Sequence, residues 1–331
     1  MNPAAKYPIG PFVELGRILQ QELDEGRLDP VIRRATEANC WFTAESVAFA
    51  IRAICNDMLQ PELLETWLRP YQKQGTKTVR RVGIIMAGNI PLVGFFDLLC
   101  VLASGHACRV KPSSKDTVLI GYVVDLLRTI DPAIPLRMAE QGERPDAVIA
   151  TGSDNANRYF RMLFGGIPSL LRGSRQSVAV LSGRETAAEL SGLEEDIFAY
   201  SGLGCRNVSL LFLPRGYMPE LRCTALNEKY RRNYLRERAL LRMRRMPFVD
   251  LDGAVLCEDR SFPAALSRIH YTFYDSLADV EAWLAAHDDR LQCVVSQCVR
   301  HSRRVAFGRA QHPGLTDYAD DVDTMRFLGT I

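Results

Sequence analysis

The sequence predicts an α/β protein in which a parallel sheet is covered by helices on both faces. Short apolar segments ending in Gly or Ser alternate with longer segments whose apolar residues recur every three or four positions. The short segments lack polar alternation, which is typical of strands buried in a parallel sheet. Because the connections are short, consecutive strands are expected to lie close together with a helix crossing between them.

Residues 1–80 are predicted to form a helical segment that packs on the domain after it. Apolar residues occur at helical spacing from residue 12 to residue 70. Thr43 is a suitable N-cap for the helix in TAESVAFAIRAICNDML, and Pro61 stands in the first turn of the helix PELLETWLRPY.

Four apolar segments then predict strands. They are VGIIMAG (82–88), ACRVKPSS (107–114), DAVIATGS (146–153) and SVAVLSG (177–183). The segments between them have helical spacing, and the first of these helices is expected to be entered through Pro91. This alternation predicts one domain over residues 81–183.

A second domain is predicted over residues 184–305. It contains the helix RETAAELSGLEEDIFAYSG, the strand NVSLLFLP and the long basic helix MPELRCTALNEKYRRNYLRERALLRMRR. Two further strands, HYTFYDS and LQCVVSQ, enclose the helix LADVEAWLAAHDD. Residues 306–331 are predicted to form a C-terminal return segment.

Composition excludes several classes of protein. With 41 basic and 39 acidic residues among 331, the chain has no overall attraction for nucleic acid or a membrane surface. Nine cysteines without a CxxC pair, and five histidines without an i, i+4 pair, argue against a disulfide scaffold and predict no metal site. No signal peptide is visible, and the longest uncharged apolar stretch is shorter than the roughly 20 residues that span a bilayer. We therefore expect a cytoplasmic protein without a membrane span.

Cys205 is the sharpest chemical feature of the sequence. It stands in SGLGCRN, with Gly202 and Gly204 before it and Arg206 after it. Glycines beside a thiol let a substrate and the backbone approach closely, which suits a nucleophile. The alternative is a buried cysteine that fills a gap in the core, and this is the role predicted for the other eight cysteines.

Three further segments follow predicted strands, where ligands bind in open α/β sheets. Asn89, in MAGNIPL, is suited either to stabilising an oxyanion or to capping a turn. Lys111, in RVKPSS, is suited to phosphate or ribose, or is an ordinary exposed lysine. Gly152 and Ser153 precede a helix whose amino end favours anions, or Ser153 is a simple N-cap.

The order of these features, Asn, Lys-Pro-Ser, Thr-Gly-Ser and Gly-x-Gly-Cys, resembles the aldehyde dehydrogenase superfamily. Within it, GNIPLVGFFDLLCVLASGHACRVKPSSKD and YSGLGCRNVS are similar to the LuxC-type acyl-CoA reductases, the fatty-acid reductase component of bacterial bioluminescence. ANCWFTAESV and DYADDVDTMRFL also look like that family, so the resemblance covers most of the chain.

The resemblance implies an aldehyde-dehydrogenase-like fold, with a Rossmann-like cofactor domain over 81–183 and an α/β catalytic domain over 184–305. It implies that the site lies in the cleft between them. Cys205 matches the nucleophile that forms an acyl-enzyme thioester. Asn89 matches the asparagine that holds the oxyanion together with the backbone N–H of the cysteine.

The resemblance also implies a nicotinamide cofactor, NADPH, with NADH as the alternative. Lys111, Pro112 and Ser113 match the segment that contacts the adenosine ribose or its 2′-phosphate. The strand-to-helix turn beneath the cofactor is matched by Thr151, Gly152 and Ser153.

The sequence departs from the hydrolytic members of the superfamily at one informative place. They carry a Glu-Leu-Gly-Gly segment whose glutamate activates water, whereas the equivalent stretch here is LRGSRQSVAV, with Arg172 and Gly173 near that place. Without a base, water attacks an acyl-enzyme poorly. The nicotinamide-ribose motif Glu-x-Phe-Gly-Pro is also absent. A histidine base for Cys205 stays open, with His106 and His312 nearest to glycine-rich loops.

These features predict an NADPH-dependent reductase that converts an acyl thioester, on CoA or on acyl carrier protein, to an aldehyde. One alternative is a non-catalytic partner that holds an acyl carrier protein or an acyl-protein synthetase. Another is a cysteine acyltransferase without redox chemistry. Each of these three functions is compatible with a homo-oligomer.

The long basic helix is a candidate surface for a partner. Eight of the 17 residues from Lys229 to Arg245 are Lys or Arg. Such a run is suited to CoA phosphates, an acidic carrier protein or a partner enzyme, or it is simply a solvated face. No pattern of stacking aromatics points to nucleic acid.

Overall fold

The computed structural model describes residues 9–71, 78–225 and 227–331. The chain divides into two compact units. Unit 1 contains residues 1–174 and 314–331, and unit 2 contains residues 175–313. Unit 2 is therefore an insertion in the sequence of unit 1.

Helices and strands alternate along both units. The helices in the described residues are α1 (Gly10–Asp24), α2 (Asp29–Ala38), α3 (Ala44–Asp57), α4 (Pro61–Leu68), α5 (Phe95–Ala103), α6 (Thr117–Ile130), α7 (Asp154–Phe164), α8 (Ala187–Phe198), α9 (Glu228–Met243), α10 (Leu277–Ala286) and α11 (Thr324–Gly329). The strands in the same residues are β1 (Arg81–Ile85), β2 (Ala107–Lys111), β3 (Leu136–Met138), β4 (Ala147–Thr151), β5 (Ser169–Arg172), β6 (Gln176–Val180), β7 (Val208–Pro214), β8 (Val249–Asp250), β9 (Val255–Glu258), β10 (Arg268–Tyr274), β11 (Leu291–Ser296) and β12 (Arg304–Val305).

The sheet of unit 1 is parallel throughout its described strands, in the order β3-β2-β1-β4-β5. The chain builds outward from β1 through β2 to β3 and then returns to the other side of β1 with β4. This reversal creates a switch point between β1 and β4, outside whose carboxyl ends open α/β sheets bind ligands. The predicted α/β fold with parallel sheets is confirmed.

The N-terminal helices pack in the same hydrophobic core as this sheet. Helices α1 and α2 contact α6, and Leu15 and Leu19 of α1 are buried with Leu119 and Val123 of α6. Thr43 caps α3 as predicted, because its hydroxyl accepts from the backbone N–H of Ser46.

The sheet of unit 2 has the order β12-β11-β6-β7-β10-β9-β8 in the described residues, and only the edge strand β8 is antiparallel to its neighbour. The segment predicted as the fourth strand of the first domain is β6, which pairs with β7 and β11 instead. The division between the units therefore precedes β6, whereas the sequence pattern places it after Gly183. A buried apolar strand looks the same in either sheet, so the pattern does not reveal its neighbours.

Two helices begin later than the sequence predicts. Helix α5 begins at Phe95 rather than near Pro91, because the chain first makes a turn in which Leu92 has a φ of +56°. Helix α9 begins at Glu228, where Asn227 accepts from the backbone N–H groups of Lys229 and Tyr230. A strong N-cap fixes this start, far inside the predicted basic helix.

The C-terminal segment returns to unit 1 through α11. Met325 and Leu328 are buried in the unit 1 core. The Nε2 of buried His106 lies 3.0 Å from the carbonyl oxygen of Leu328, and its Nδ1 accepts from the backbone N–H of Arg80 at 3.1 Å. Nε2 therefore carries the ring proton and donates to Leu328. With both nitrogens engaged in the core, His106 has a structural role and is not a base for Cys205.

No helix among the described residues is long and apolar enough to cross a membrane.

Candidate active site

The predicted cofactor residues of unit 1 meet at the carboxyl edge of its sheet. Lys111, the last residue of β2, lies level with Ile85 of β1, which lies level with Ala150 of β4. Pro112 and Ser113 follow Lys111 directly. Three loops therefore leave the sheet side by side, at the switch point where open α/β sheets bind ligands.

The loop after β1 carries Asn89 and lies against the loop after β2. A Cβ on Gly88 would stand 2.6 Å from the Cβ and the hydroxyl of Ser113, so only glycine permits this approach. Asn89 follows Gly88 in a half-buried bend. The structure therefore brings Asn89 and Ser113 to neighbouring loops of one edge.

Asp116 braces these two loops, and the sequence did not identify it. Its carboxylate accepts from the backbone N–H of Leu92 at 2.8 Å, at a residue whose left-handed backbone costs roughly 1–2 kcal/mol. Asp116 is only 2% exposed, and its other oxygen has no hydrogen-bond partner among the described residues. Burial raises the pKa of Asp116 to about 7.

Thr151, Gly152 and Ser153 connect β4 to α7. Thr151 ends the strand, and the backbone N–H of Gly152 donates to the carbonyl of Arg172. A Cβ on Gly152 would stand 2.9 Å from that of Ala156. The Ser153 hydroxyl accepts from the N–H of Ala156, so this serine is an N-cap as well as a candidate cofactor contact.

These residues fit a dinucleotide. The edge offers the exposed ammonium of Lys111, the hydroxyl of Ser113 and the amino end of α7, which suit phosphate and ribose groups. The glycines at 88 and 152 let the side chains of Ser113 and Ala156 pack directly against the backbone of these loops.

Arg172, which the sequence resemblance aligns near a hydrolytic base, is the last residue of β5, and its side chain is buried in unit 1. Its Nη1 lies 2.6 and 2.7 Å from the two carboxylate oxygens of Asp97, and its Nη2 donates to the hydroxyl of Thr324. Both charged side chains are more than nine-tenths buried. Arg172 is therefore a structural cation, and the one carboxylate that it contacts is paired.

Cys205 lies in unit 2, on the loop that connects α8 to β7. Its side chain is exposed, so the alternative of a buried, gap-filling cysteine is wrong. Before it, Tyr200, Ser201 and Gly202 have φ values of +53°, +55° and +69°. Left-handed backbone at two consecutive non-glycine residues costs free energy and is found most often at functional sites.

Ser177 and Cys293 brace this loop from beneath. The fully buried hydroxyl of Ser177 donates to the carbonyl oxygen of Cys205 at 2.9 Å. The Oγ of Ser177 itself accepts from the backbone N–H of Cys293 at 3.2 Å and lies 3.2 Å from the Sγ of Cys293. Because the one Ser177 proton is engaged, the Cys293 thiol is the donor in that last contact. Burial raises the pKa of Cys293 to about 11, which keeps this thiol protonated.

Asn207 closes the same loop from the other side. Its Oδ1 accepts from the backbone N–H of Gly204 at 2.7 Å. Its amide nitrogen donates to the carbonyls of Asp196, Ile197 and Ala199, which are the groups left unpaired at the end of α8. These hydrogen bonds therefore fix the backbone of the Cys205 loop while its thiol stays exposed.

Neither Ser177 nor Asn207 was identified from the sequence. Ser177 is the first inward-facing residue of an apolar strand, and nothing in its own segment indicates which backbone it contacts. Asn207 carries the weak signal of a short polar residue directly after a glycine-rich turn. His312, left open as a base, lies 3.4 Å from Glu195 in unit 2.

The other eight cysteines, all predicted to be core residues, divide into three groups by their exposure. Cys55, Cys100, Cys108, Cys257 and Cys293 are buried, Cys223 and Cys298 are half-buried, and Cys40 is exposed. The core prediction is wrong for Cys40, which lies in the turn after α2. No group of three potential metal ligands occurs among the described residues.

Comparisons with known proteins add the fold family. No family model and no curated protein matches the sequence. Among solved structures, aldehyde dehydrogenase 21 from Physcomitrella patens matches with a TM-score of 0.64 at 9% identity, over 98% of this chain and 85% of the other. The NAD+ complex of an aldehyde dehydrogenase from Bacillus cereus matches with a TM-score of 0.61 at 12% identity, over 91% of this chain and 72% of the other.

The chain has an aldehyde-dehydrogenase-like fold. The aldehyde dehydrogenase of Mycobacterium tuberculosis in complex with NAD+ gives the same result, with a TM-score of 0.56 at 14% identity over 89% of this chain and 74% of the other. At these identities the likeness concerns the fold alone. The finer resemblance to LuxC-type reductases stays a prediction, as do the roles of the site residues.

Proposed function

We propose that this chain reduces an acyl thioester to an aldehyde with NADPH, through an acyl group held on Cys205. In the net reaction, the thioester, NADPH and one proton give the aldehyde, a thiol and NADP+. In this proposal unit 1 binds the cofactor and unit 2 carries the nucleophile. The observation that carries the proposal is the exposed thiol of Cys205 on its braced, strained loop.

The first step is thioester exchange. The Cys205 thiolate attacks the carbonyl carbon, a tetrahedral intermediate forms, and the bond to the departing sulfur breaks to release a thiolate. Ser177 and Asn207 support this step because they fix the backbone on both sides of the reacting sulfur. A fixed orientation of this kind lowers the entropic part of the barrier.

The oxyanion of the intermediate is proposed to accept hydrogen bonds from Asn89 and from the backbone N–H of Cys205. This assignment comes from the resemblance in the sequence, and Asn89→Ala tests the side-chain donor. One donor of this kind is typically worth about 3 kcal/mol.

The acyl group on Cys205 is proposed to survive attack by water. The residue near the usual position of the hydrolytic base is Arg172, whose guanidinium is buried against Asp97. A cation in that arrangement cannot accept a proton from water. The intermediate would therefore last until it is reduced or returned to a thiol.

Lys111, Ser113 and the turn at Thr151–Ser153 would hold NADPH at the carboxyl edge of the unit 1 sheet, with Pro112 fixing the loop between Lys111 and Ser113. When bound, the nicotinamide supplies a hydride to the thioester carbon, after which the bond to Cys205 breaks and the thiolate is restored. The exposed ammonium of Lys111 supports the choice of NADPH, because a 2′-phosphate gives it a partner that NADH lacks.

The test is mass spectrometry of the intact protein after incubation with butanoyl-, octanoyl- or hexadecanoyl-CoA and no NADPH. We expect the mass of one acyl group on the wild type, none on Cys205→Ala, and loss of the group when NADPH is added, with release of the aldehyde. Cys40→Ala removes the other exposed cysteine and should acylate like the wild type.

Two results would contradict the proposal. One is a wild type that stays unmodified with every acyl chain. The other is an acyl-Cys205 that NADPH does not discharge, which would favour an acyltransferase without redox chemistry.

A further inference from the structure

Helix α9 presents an exposed face with an apolar row along its centre. Residues four apart on a helix lie one above another, so Arg231, Leu235, Ala239 and Met243 form one continuous row. Leu235 is 43% exposed and Met243 is 80% exposed. Met246 and Val249 extend the exposed apolar surface beyond the end of the helix. We call this surface, together with the arginines around it, the α9 face.

Arginines flank the row on both sides. Arg232 and Arg236 lie in the neighbouring row on one side, Arg238 and Arg242 lie in the row on the other, and Arg244 and Arg245 follow at the end. Three of these have acidic partners: Arg232 with Glu228, Arg236 with Glu237 and Arg238 with Asp250. Among the residues that the structure describes, no acidic side chain lies within 4.0 Å of the guanidinium groups of Arg231, Arg242, Arg244 or Arg245.

Helix α9 is packed against unit 2 through the face opposite to the exposed one. The opposite face of α9 is buried through Tyr230, Tyr234 and Leu241. Glu237, also buried, accepts from Arg268 of β10 at 2.6 Å. A buried acidic anchor fixes the rotation of the helix, so the apolar row and its arginines point outward in a defined orientation.

Arg245 has a left-handed backbone conformation, which sterically favours glycine. Its φ is +54°, directly after the helix, at a position where a left-handed residue commonly ends a helix and is usually glycine. An arginine there adds a cation to the α9 face at a cost in backbone free energy.

The strand that contacts α9 and the strand that follows the Cys205 loop are close neighbours in the unit 2 sheet. Arg268, which holds the centre of α9, is level with Val255 at the start of β9. His270 is level with Leu210 of β7, so Arg268 is also level with Val208, where β7 begins after the Cys205 loop. Only β10 separates β7 from β9, which is two strand spacings, or about 10 Å.

We infer that the α9 face docks an acidic, amphipathic helix of an acyl carrier protein, whose phosphopantetheine arm delivers the thioester to Cys205. This inference rests on the proposed function and names the form of its substrate. Acidic side chains on both sides of an apolar ridge would match the two rows of arginine and the apolar row between them. In this arrangement the extended phosphopantetheine arm would cross the neighbouring strand β10 to reach the sulfur.

The pattern distinguishes this partner from others. The phosphates of CoA would use the arginines and leave Leu235 and Met243 in water. A second copy of the chain, docked through the same face about a two-fold axis, would bring arginine against arginine.

The experiment compares one acyl group on two carriers. Initial rates are measured with hexadecanoyl acyl carrier protein and with hexadecanoyl-CoA, for the wild type, Arg231→Glu/Arg242→Glu, Met243→Ser and Arg245→Gly. The matched control is Arg33→Glu/Arg34→Glu, which reverses two exposed arginines on α2 of unit 1.

We expect the double reversal on α9 to raise KM for the acyl carrier protein at least about tenfold, while KM for the CoA thioester stays within about twofold. Met243→Ser and Arg245→Gly should raise the same KM by about three- to fivefold. Arg245→Gly should have an unchanged or higher melting temperature, which separates docking from folding. The control should behave like the wild type.

Three results would overturn the inference. The first is an equal loss with both substrates. The second is undiminished binding of unacylated carrier protein to the double variant, measured by fluorescence anisotropy. The third is that the α9 variants change sedimentation of the chain alone or its binding to phosphatidylglycerol vesicles, with the two KM values unaffected. Absence of acyl-Cys205 from either substrate would instead overturn the proposed function, and the anisotropy measurement would still decide the docking.

Discussion

The two sheets of the molecule present their chemistry at opposite ends of their strands. In unit 1 the candidate cofactor residues follow β1, β2 and β4 at the carboxyl edge, where the loops are open and polar. In unit 2 Cys205 precedes β7 at the amino edge, on a loop held by buried side chains from β6 and β11. The first edge carries open polar loops, whereas the second holds the backbone of one loop in a fixed position. Variants of Lys111 at the first edge and of Ser177 at the second should therefore affect different steps.

The largest effect expected in this comparison is that of Asn89→Ala at the unit 1 edge. Loss of an oxyanion donor should slow acylation of Cys205 by about 10²- to 10³-fold, because the developing charge loses a hydrogen bond. The rate is measured by quenched-flow mass spectrometry without NADPH. Asn155→Ala, an exposed asparagine in the first turn of α7, is the control. A normal acylation rate in Asn89→Ala would show that Asn89 does not stabilise the oxyanion.

The next effect should come from Ser177→Ala beneath Cys205. It leaves the carbonyl of Cys205 without its donor, and we expect acylation to slow by about tenfold as the sulfur loses its fixed position. The pH profile of alkylation of Cys205 by iodoacetamide should shift as well, which a purely structural role would not require. Ser209→Ala, on the neighbouring strand, removes a hydroxyl that donates to Gln176 and should leave both measurements unchanged. If the pH profile of alkylation is the same in Ser177→Ala as in the wild type, Ser177 contributes only to the stability of the fold.

A smaller effect is expected from Lys111→Ala. Loss of this cation should raise KM for NADPH by about tenfold and KM for NADH much less, since only NADPH carries the 2′-phosphate. Acylation of Cys205 in the absence of cofactor should be unchanged, which separates the two edges directly. Lys115→Ala, four residues farther along the same loop region, is the control. Equal changes of KM for NADPH and NADH would mean that Lys111 contacts a part of the dinucleotide that both cofactors share.

The smallest effect concerns stability and pH. Burial raises the pKa of Asp116 in unit 1 and of Asp196 in unit 2 to about 7, so between about pH 4 and pH 7 the folded protein binds more protons than the unfolded chain. These two groups therefore make the folded state less stable as pH rises through that window. Asp116→Asn should flatten part of this decline, seen as melting temperatures measured across the window.

Asp196→Asn gives the matching measurement for unit 2. Its carboxylate accepts from the backbone N–H groups of Gly308 and Ala310, so the amide should cost stability at high pH while also flattening the decline. If both variants keep the slope of the wild type, the pH dependence originates elsewhere.

The sequence predicted most of the fold because long apolar periodicities dominate it. It missed the three-residue strand β3 and the four-residue strand β5, whose segments are short and carry an arginine each. It misplaced the start of α9, since the arginine-rich spacing continues upstream while the cap at Asn227 decides the boundary. It assigned β6 to the first domain, because strand pairing is set by packing that a local pattern does not contain.

The candidate site divides in the same way. Cys205, Lys111 and Asn89 stand beside glycines or strand ends, and these marks are visible in the sequence. Ser177, Asn207 and Asp116 act on backbone groups that are distant along the chain or hidden in a turn. Their roles depend on which segments meet after folding, so composition and spacing alone could not identify them.

The closing of unit 1 by α11 has a consequence for biosynthesis. His106 and Arg172 each find a partner in α11, at Leu328 and Thr324, so their polar groups lack those partners until residues 314–331 have left the ribosome. Unit 2 is continuous in the chain and can collapse first. Until α11 has emerged, the apolar surface of unit 1 that Met325 and Leu328 cover stays exposed, and transiently exposed apolar surface of this kind promotes aggregation.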